Sequence, residues 1–301
     1  MSSYLCTMFY RRKIILALMQ VLGGELEKIR LQKLLFLLTQ RQQEKAYDFI
    51  PYKYGCFSYS ANADLTTMVQ KGLLNESASA FHKIDSTDYL KSLKEPDKKL
   101  IREISQLYGT MNANSLMKHT YVHFPFWAIN SVKAAEILSK DEYSKVLQSK
   151  NSSEETTLFT IGYEGVTPEA YLNKLLKNNI DVLVDVRKNA LSMKYGFSKS
   201  QLSRFCESVG IKYIHLPDVG IQSDKRQSLK TQEDYDSLFA DYRENCLTHT
   251  TETQEYILQL LKEHNRIALT CFEANICQCH RKHLAESIAN LPGFDFKLQH
   301  I

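Results

Sequence analysis

The stretch IDVLVDVR, residues 180–187, decides the fold of the second half of this chain. Its nearly continuous apolar run predicts a strand over 181–186 that is buried on both faces of a parallel sheet. Three further runs predict strands at residues 158–162, 211–216 and 267–272. Helical spacing of apolar residues predicts helices at residues 167–178, 199–208, 252–264 and 279–290. This alternation predicts an α/β fold with a Rossmann-like, mostly parallel sheet over 158–301.

Polar clusters stand where the predicted strands end. They are GYEG at 162–165, DVR at 185–187, HLP at 215–217 and CFE at 271–273, and CHR at 279–281 opens the next helix. The carboxyl ends of parallel strands line one crevice, where open α/β sheets bind their ligands. We therefore expect these clusters to form one active site. The long connection 217–250 is predicted to form a lid or rim over it.

The side chains in these clusters suit an anionic substrate. Arg187, His280 and Arg281 are candidates to hold the anion, since guanidinium groups and a helix N-terminus attract negative charge. Glu164 or Asp185 is the candidate for proton transfer or nucleophilic attack, and His280 is a further catalytic candidate. The structural alternatives are an Asp185–Arg187 ion pair and an exposed acid at Glu164 in a tight turn.

The cysteines leave three interpretations open. In the first, Cys271 or Cys279 is a nucleophile, although neither is followed six residues later by the Arg of the phosphatase arrangement. In the second, zinc is bound at a spacing unlike that of a usual finger or ribbon, by ligands from Cys271, Cys277, Cys279, His280 and His283. We favour the third, in which the cysteines are small buried residues, and expect no metal and no cofactor.

The first half is predicted to be mainly helical with a short extended insert. Apolar residues at helical spacing predict helices at residues 9–22 and 29–43. An aromatic-rich turn around Pro51 and Gly55 follows at residues 47–60, then a third helix at 61–72 and a hairpin at 73–84. This order predicts a winged-helix-like binding domain over 1–138, with two more helices near 97–112 and 113–122. In the aromatic turn, Lys53, Tyr54 and Tyr59 are candidates to bind nucleic acid by charge and base stacking. The alternative is that the aromatic residues pack onto a small core.

Length and composition fit a soluble two-domain protein. The polar segment 139–157 is predicted to be the linker, because it lacks apolar periodicity after Leu147. No apolar run is long enough for a membrane span, and the seven cysteines in a chain of 301 residues do not suit a secreted disulfide framework. We expect a cytoplasmic protein. Residues 1–157 carry 21 Lys and Arg against 16 Asp and Glu, so attraction to phosphate belongs mainly to the first half.

Two resemblances are carried by these motifs. The run KIRLQKLLFLL, then YDFIPYKYGCFSYS, DLTTMVQKGLL and HFPFWAINS resembles the Panacea/SocA-like antitoxin-associated module over residues 8–135. The resemblance implies a winged-helix-like domain that binds a partner protein or nucleic acid.

TIGYEG, DVLVDVRKNALSMKYGFSK, YIHLPDVG and CFEANICQCHRKHLAE together resemble the domain of unknown function 488 family over residues 158–292. The resemblance implies a Rossmann-like domain with recurring polar residues at Tyr163, Glu164, Asp185, Arg187, Ser192, Cys271, Glu273, Cys279, His280 and Arg281. Ala190, where the family usually has Pro, and the additional thiol of Cys277 depart from the pattern. The family has no settled activity.

Together these features predict an enzyme that acts on a nucleotide or nucleic acid, as a hydrolase or transferase at a glycosidic or phosphate linkage. The expected substrate-binding residues are Tyr163, Arg187, Ser192, Glu273, Cys279 and Arg281. The first domain would recruit the substrate or a protein partner, in a prokaryotic conflict or stress system, and no membrane is involved. The alternatives are a non-catalytic ligand sensor that regulates DNA or a toxin partner, and a cysteine-dependent transferase or sulfur carrier.

Overall fold

The computed structural model describes residues 8–222, 225 and 229–301. The chain divides into two compact units, the first ending at Lys150 and the second beginning at Asn151. Within the described residues, no helix is both long enough and apolar enough to cross a membrane.

The first unit is mainly helical. Its elements are α1 (Tyr10–Val21), β1 (Glu25–Glu27), α2 (Lys28–Arg41), β2 (Ile50–Tyr52), β3 (Gly55–Phe57), α3 (Tyr59–Gln70), β4 (Leu74–Glu76), β5 (Ala80–Lys83), α4 (Glu95–Tyr108), α5 (Ala113–His123), α6 (Ala134–Ile137) and α7 (Lys140–Gln148). Strands β1, β5 and β4 form an antiparallel sheet in that order, and β2 and β3 form a hairpin. Helix α2 is the centre of the core, because its leucines recur at helical spacing and are fully buried from Leu31 to Leu38.

Helix α7 occupies part of the segment predicted as linker. Its first turn is closed by a capping box, in which Ser139 and Glu142 each accept a hydrogen bond from the other's backbone N–H. Only Val146 of this helix is buried, so apolar periodicity could not reveal it. The boundary between the two units falls after the helix.

The second unit is an α/β domain, and the predicted fold class is confirmed. Its elements are β6 (Thr157–Gly162), α8 (Pro168–Lys177), β7 (Val182–Asp185), α9 (Lys199–Glu207), β8 (Lys212–His215), α10 (Gln232–Asn245), α11 (Thr251–His264), β9 (Arg266–Cys271), α12 (His280–Ala289) and β10 (Lys297–His300). The five strands form one sheet in the order β10-β6-β9-β7-β8, with every pair parallel.

The register of this sheet aligns the strand ends. Gly162 pairs with Cys271 across β6 and β9, and Asp185 pairs with both Thr270 and His215. The polar clusters that follow these strands therefore meet at one edge of the sheet. Strand β9 is central and every one of its residues is buried.

Two elements among the described residues of the second unit were not predicted. Strand β10 is an edge strand of mostly polar residues, which pairs with β6 and lacks a two-sided apolar run. Helix α10 lies within the connection predicted as a lid or rim, and its Tyr235 and Phe239 line a cavity described below. Residues 223–224 and 226–228 of that connection lie outside the described residues.

Candidate functional site

A cavity of about 540 Å³ opens at the carboxyl edge of the parallel sheet. It contains many of the residues predicted to form the site, namely Tyr163, Glu164, Arg187, Ser192, Cys271, Glu273 and His280. Its volume lies in the range of small-molecule sites, roughly 300–1,000 Å³.

Asp185 and Arg187 form a buried ion pair beside this cavity. The Asp185 carboxylate accepts hydrogen bonds from the backbone N–H and Nε of Arg187 at 3.1 and 2.8 Å, and also from Nη2. The hydroxyl of Tyr213 donates to the same carboxylate. Nη1 of Arg187 donates to the Tyr163 hydroxyl at 2.6 Å and to the Phe197 carbonyl at 2.9 Å. Every nitrogen of the guanidinium is thus engaged within the protein.

This arrangement favours the structural alternative for Asp185 and Arg187. Burial works against the charge of Arg187, but its hydrogen bonds to Asp185 and the carboxylate charge together outweigh burial, so the pKa of Arg187 is raised above its usual value. The carboxylate of Asp185 is enclosed and does not line the cavity. The pair braces the loop after β7, where sequence reasoning had assigned proton transfer and anion binding.

The turn after β6 and the loop after β9 are joined by hydrogen bonds. The Phe272 carbonyl accepts hydrogen bonds from the backbone N–H groups of Tyr163 and Glu164, at 3.1 and 2.8 Å. Glu164 is exposed, and its Oε2 accepts the N–H of Ala274 at 3.0 Å. A Cβ on Gly162 would lie 2.0 Å from the Glu273 carbonyl oxygen, so this approach requires glycine. Glu164 therefore anchors a loop, as the exposed acid of the structural alternative.

Arg281 also anchors this loop. Its side chain is buried, and Nη1 and Nη2 donate to the carbonyl oxygens of Glu273 and Ala274 at 2.5 and 3.4 Å. It is not among the residues that line the cavity. Arg281 thus shapes the loop, and its role in holding an anion stays a prediction.

Cys271, Glu273, Cys279 and His280 form a contact cluster at the cavity wall. Nε2 of His280 lies 3.0 Å from the Val186 carbonyl oxygen, which can only accept, so this nitrogen carries the hydrogen. In the neutral ring Nδ1 then has the lone pair, and it lies 3.6 Å from Sγ of Cys271. The same sulfur is 3.1 Å from Oε2 of Glu273.

Cys279 is the fourth member of this cluster. Its sulfur lies within 4.8 Å of the ligand atoms of Cys271 and His280. Burial, followed by the neighbouring Cys271 and Glu273, raises the pKa of the Cys279 thiol well above its usual value. Cys271 ends β9 and His280 begins α12, so the loop between them folds back and brings the two residues together.

The other candidate zinc ligands lie elsewhere. Cys277 is exposed, and Nδ1 of His283 contacts Arg243 at 3.3 Å and Glu286 at 3.5 Å.

Residues that the sequence reasoning missed complete the surroundings of the site. Phe197 stacks on Tyr163 with ring centroids 4.4 Å apart, and the hydroxyl of Tyr213 donates a hydrogen bond to the Asp185 carboxylate. Lys188, Phe272 and Tyr235 line the cavity. Tyr213 stands between Lys212 and Ile214 in its strand, and this pattern gives no signal of its role. Ser192 is half-buried and accepts the backbone N–H of Lys194 at 3.2 Å, as part of the cavity lining.

The candidate nucleic-acid-binding residues of the first unit differ in exposure. Lys53 and Tyr54 lie in the exposed turn between β2 and β3. Tyr59 is half-buried against Tyr52 and Phe57, with centroids 6.0 and 5.2 Å apart. Lys53 and Tyr54 are accessible to a ligand, whereas Tyr59 belongs to an aromatic packing cluster.

Comparison with known proteins supports the family expected for the second unit. Residues 167–288 match the model of the family described as "Domain of unknown function DUF488". The matched residues include β7, β8, β9 with Cys271 at its end, and the loop that carries Glu273. No curated protein matches the chain. The resemblance of the first unit to the Panacea/SocA-like module stays a prediction.

Proposed function

We propose that the second unit is an enzyme that breaks a phosphate or glycosidic linkage of a nucleotide or nucleic acid. The observation that carries this proposal is the contact cluster of Cys271, Glu273 and His280 on the wall of a 540 Å³ cavity. A carboxylate, an imidazole and a thiol in contact at the carboxyl edge of a parallel sheet are typical of a site for acid–base chemistry.

Glu273 is the acid–base group of this proposal. Glu273 and Glu164 both line the cavity, but Glu164 accepts the backbone N–H of Ala274 and Asp185 is enclosed by its partners. Glu273 accepts a proton from an attacking water while the new bond forms at phosphorus or at the anomeric carbon. The bond to the leaving group then breaks, and Glu273 returns the proton to it.

The lining of the cavity suits a nucleotide. Lys188 is exposed at the wall and can pair with a phosphate, while the rings of Phe272 and Tyr235 offer faces on which a base can stack. Phe272 is 43% exposed, although apolar side chains of this size are usually buried. A planar, partly apolar substrate would cover it.

The first unit, in this proposal, is a winged-helix-like module that binds nucleic acid or a protein partner. Its antiparallel sheet of β1, β5 and β4 and its helices α2 and α3 support this interpretation, as does the exposed turn with Lys53 and Tyr54. Stacking on Tyr54 and charge attraction by Lys53 would bind a strand with little sequence preference.

Mass spectrometry of products tests the enzymatic proposal. The full chain is incubated with single- and double-stranded DNA, RNA and common nucleotides, beside a Glu273→Gln variant. Glu255→Gln, on the exposed face of α11, is the matched control. We expect a product that Glu255→Gln still forms and Glu273→Gln does not. Equal product from Glu273→Gln would overturn the assignment of the base, and saturable binding of a nucleotide without turnover would favour the ligand sensor.

A further inference from the structure

We propose that Cys271, Cys279 and His280 bind a zinc ion, which leaves its fourth coordination position open to the cavity. The ligand atoms of the three side chains lie within 4.8 Å of one another, and all three residues are buried. Two thiolates and an imidazole are ligands that zinc prefers.

The distances within this group match zinc coordination. Zinc binds sulfur and imidazole nitrogen at about 2.3 and 2.0–2.1 Å, so two such ligands at a tetrahedral angle lie about 3.6 Å apart. Sγ of Cys271 and Nδ1 of His280 are 3.6 Å apart. This separation is the one that an ion bound to both atoms would require.

His280 is oriented as metal-binding histidines are. Its Nε2–H is directed at the Val186 carbonyl oxygen at 3.0 Å, which fixes the ring and directs Nδ1 toward the sulfur atoms. Ligating histidines almost always donate their other ring N–H to a carbonyl, carboxylate or water in this way. The hydrogen bond to the loop after β7 thus serves as the outer support of the site.

The charges of the site also balance. Two thiolates, a neutral imidazole and Zn²⁺ sum to zero, so the three ligands themselves neutralise the ion, and Glu273 adds one negative charge at the cavity side. Cys279 is fully buried and Cys271 is 2% exposed.

The placement at the cavity wall indicates a catalytic ion. Catalytic zinc sites have three protein ligands and a water, whereas structural sites have four protein ligands. Cys271 and His280 line the cavity, and Glu273 lies beside them with Oε2 3.1 Å from the Cys271 sulfur. This use of the ion rests on the proposed function: a zinc ion here would supply a water of lowered pKa, and Glu273 would accept its proton.

Metal content tests the site without any substrate. The full chain, purified without added chelator, is analysed by elemental mass spectrometry and then loaded with Co²⁺ for absorption spectroscopy. We expect about one zinc per chain, and thiolate-to-cobalt charge-transfer bands with the visible bands of a tetrahedral ion. Cys279→Ser should retain less than about one tenth of the metal. Cys206→Ser, which removes a buried thiol on α9, should retain it in full.

The outcomes separate the metal site from the proposed function. Circular dichroism of each variant confirms that a loss of metal is not a loss of fold, and the cobalt spectrum of the unmodified chain needs no variant. Metal-free protein whose cobalt spectrum lacks thiolate bands would overturn the site, as would equal metal in Cys279→Ser. Bound zinc without turnover of any nucleotide would leave the site in place and contradict the proposed function.

Discussion

His280 donates its Nε2 hydrogen to the carbonyl oxygen of Val186 across 3.0 Å, although the two residues are 94 positions apart in the chain. The hydrogen bond connects the start of α12 with the end of β7 and fixes which ring nitrogen faces Cys271. It also depends on the loop after β7, which is braced by the Asp185–Arg187 pair. The framework of the site and its reactive side chains are therefore one connected structure.

Removal of the Asp185 carboxylate should destabilise the second unit strongly. Asp185→Ala leaves the Arg187 guanidinium buried without its counterion, and breaking such a pair costs about 3–5 kcal/mol of the free energy of unfolding. Urea denaturation measures this loss. Asp236→Ala, an exposed carboxylate on α10, is the control and should cost less than about 0.5 kcal/mol. Equal stability of the two variants would show that the buried pair contributes nothing.

A side chain at position 162 should displace the loop after β9. Gly162→Ala places a Cβ 2.0 Å from the Glu273 carbonyl oxygen, so loop or turn must move, at a cost of about 1–3 kcal/mol. Because Glu273 lies on this loop and the proposed zinc ligands Cys271 and Cys279 flank it, product formation and metal content should fall as well.

Gly210→Ala is the control for this substitution. Gly210 has φ +83° and open space around its Cβ position, so alanine there costs about 1–2 kcal/mol through backbone strain alone. Its metal content should equal that of the unmodified chain. If Gly162→Ala kept full metal content as well, the close approach would have no bearing on the site.

The stability of the second unit should decline in alkali because of Cys206. Burial, followed by the charges of Glu207 and Asp185, raises the pKa of this thiol above its ordinary value of 9.0. The folded state therefore holds the proton while the unfolded chain releases it, and stability present below pH 9 is lost as the pH rises above it. The slope for one such group approaches about 1.4 kcal/mol per pH unit.

Urea denaturation between pH 7 and pH 10.5 checks this dependence. Cys206→Ala should be less stable at pH 7, because a buried side chain is truncated, but its free energy of unfolding should fall less steeply above pH 9. Parallel curves for the two proteins would contradict the assignment.

The exposed turn of the first unit should contribute to nucleic-acid binding. Tyr54 is 44% exposed beside Lys53, and loss of one stacked base costs about 1–3 kcal/mol, or roughly 5- to 150-fold in affinity. Fluorescence anisotropy with labelled oligonucleotides measures Tyr54→Ala. Tyr256→Ala, an equally exposed tyrosine on α11, should bind unchanged. Lys53→Ala should reduce the salt dependence of binding. Identical binding isotherms for all these proteins would show that the turn does not contact nucleic acid.

Four of the five strands of the parallel sheet, and the edge at which their polar ends meet, could be predicted from the sequence. Apolar runs mark buried parallel strands, and polar residues such as Asp185 and Cys271 at their ends must meet once the sheet forms. Helix α7 and strand β10 were missed because each buries too little apolar surface to produce a periodic signal.

The roles of the polar residues depended on directions that a sequence does not specify. Arg187 and Arg281 each stand at the correct edge, but their guanidinium groups bind Asp185 and loop carbonyls. The contact of Cys271 with Cys279 arises because the intervening loop turns back, at a spacing that no usual zinc motif has. The positions of these residues at strand and helix ends predicted the edge of the sheet at which they lie. Their hydrogen-bond partners, which the sequence does not specify, determine whether each side chain is available to a ligand.

The central position of β9 in the sheet determines which motions disrupt the geometry of the site. This strand has neighbours on both sides and no exposed residue, so its amide hydrogens should exchange with solvent only when the whole domain opens. Cys271 ends this strand, whereas Glu273 lies on the loop that follows it. A local opening of the loop therefore displaces the Glu273 carboxylate at a lower free energy than the opening of the whole domain that displaces the Cys271 sulfur. Changes in activity that do not unfold the domain should originate in that loop.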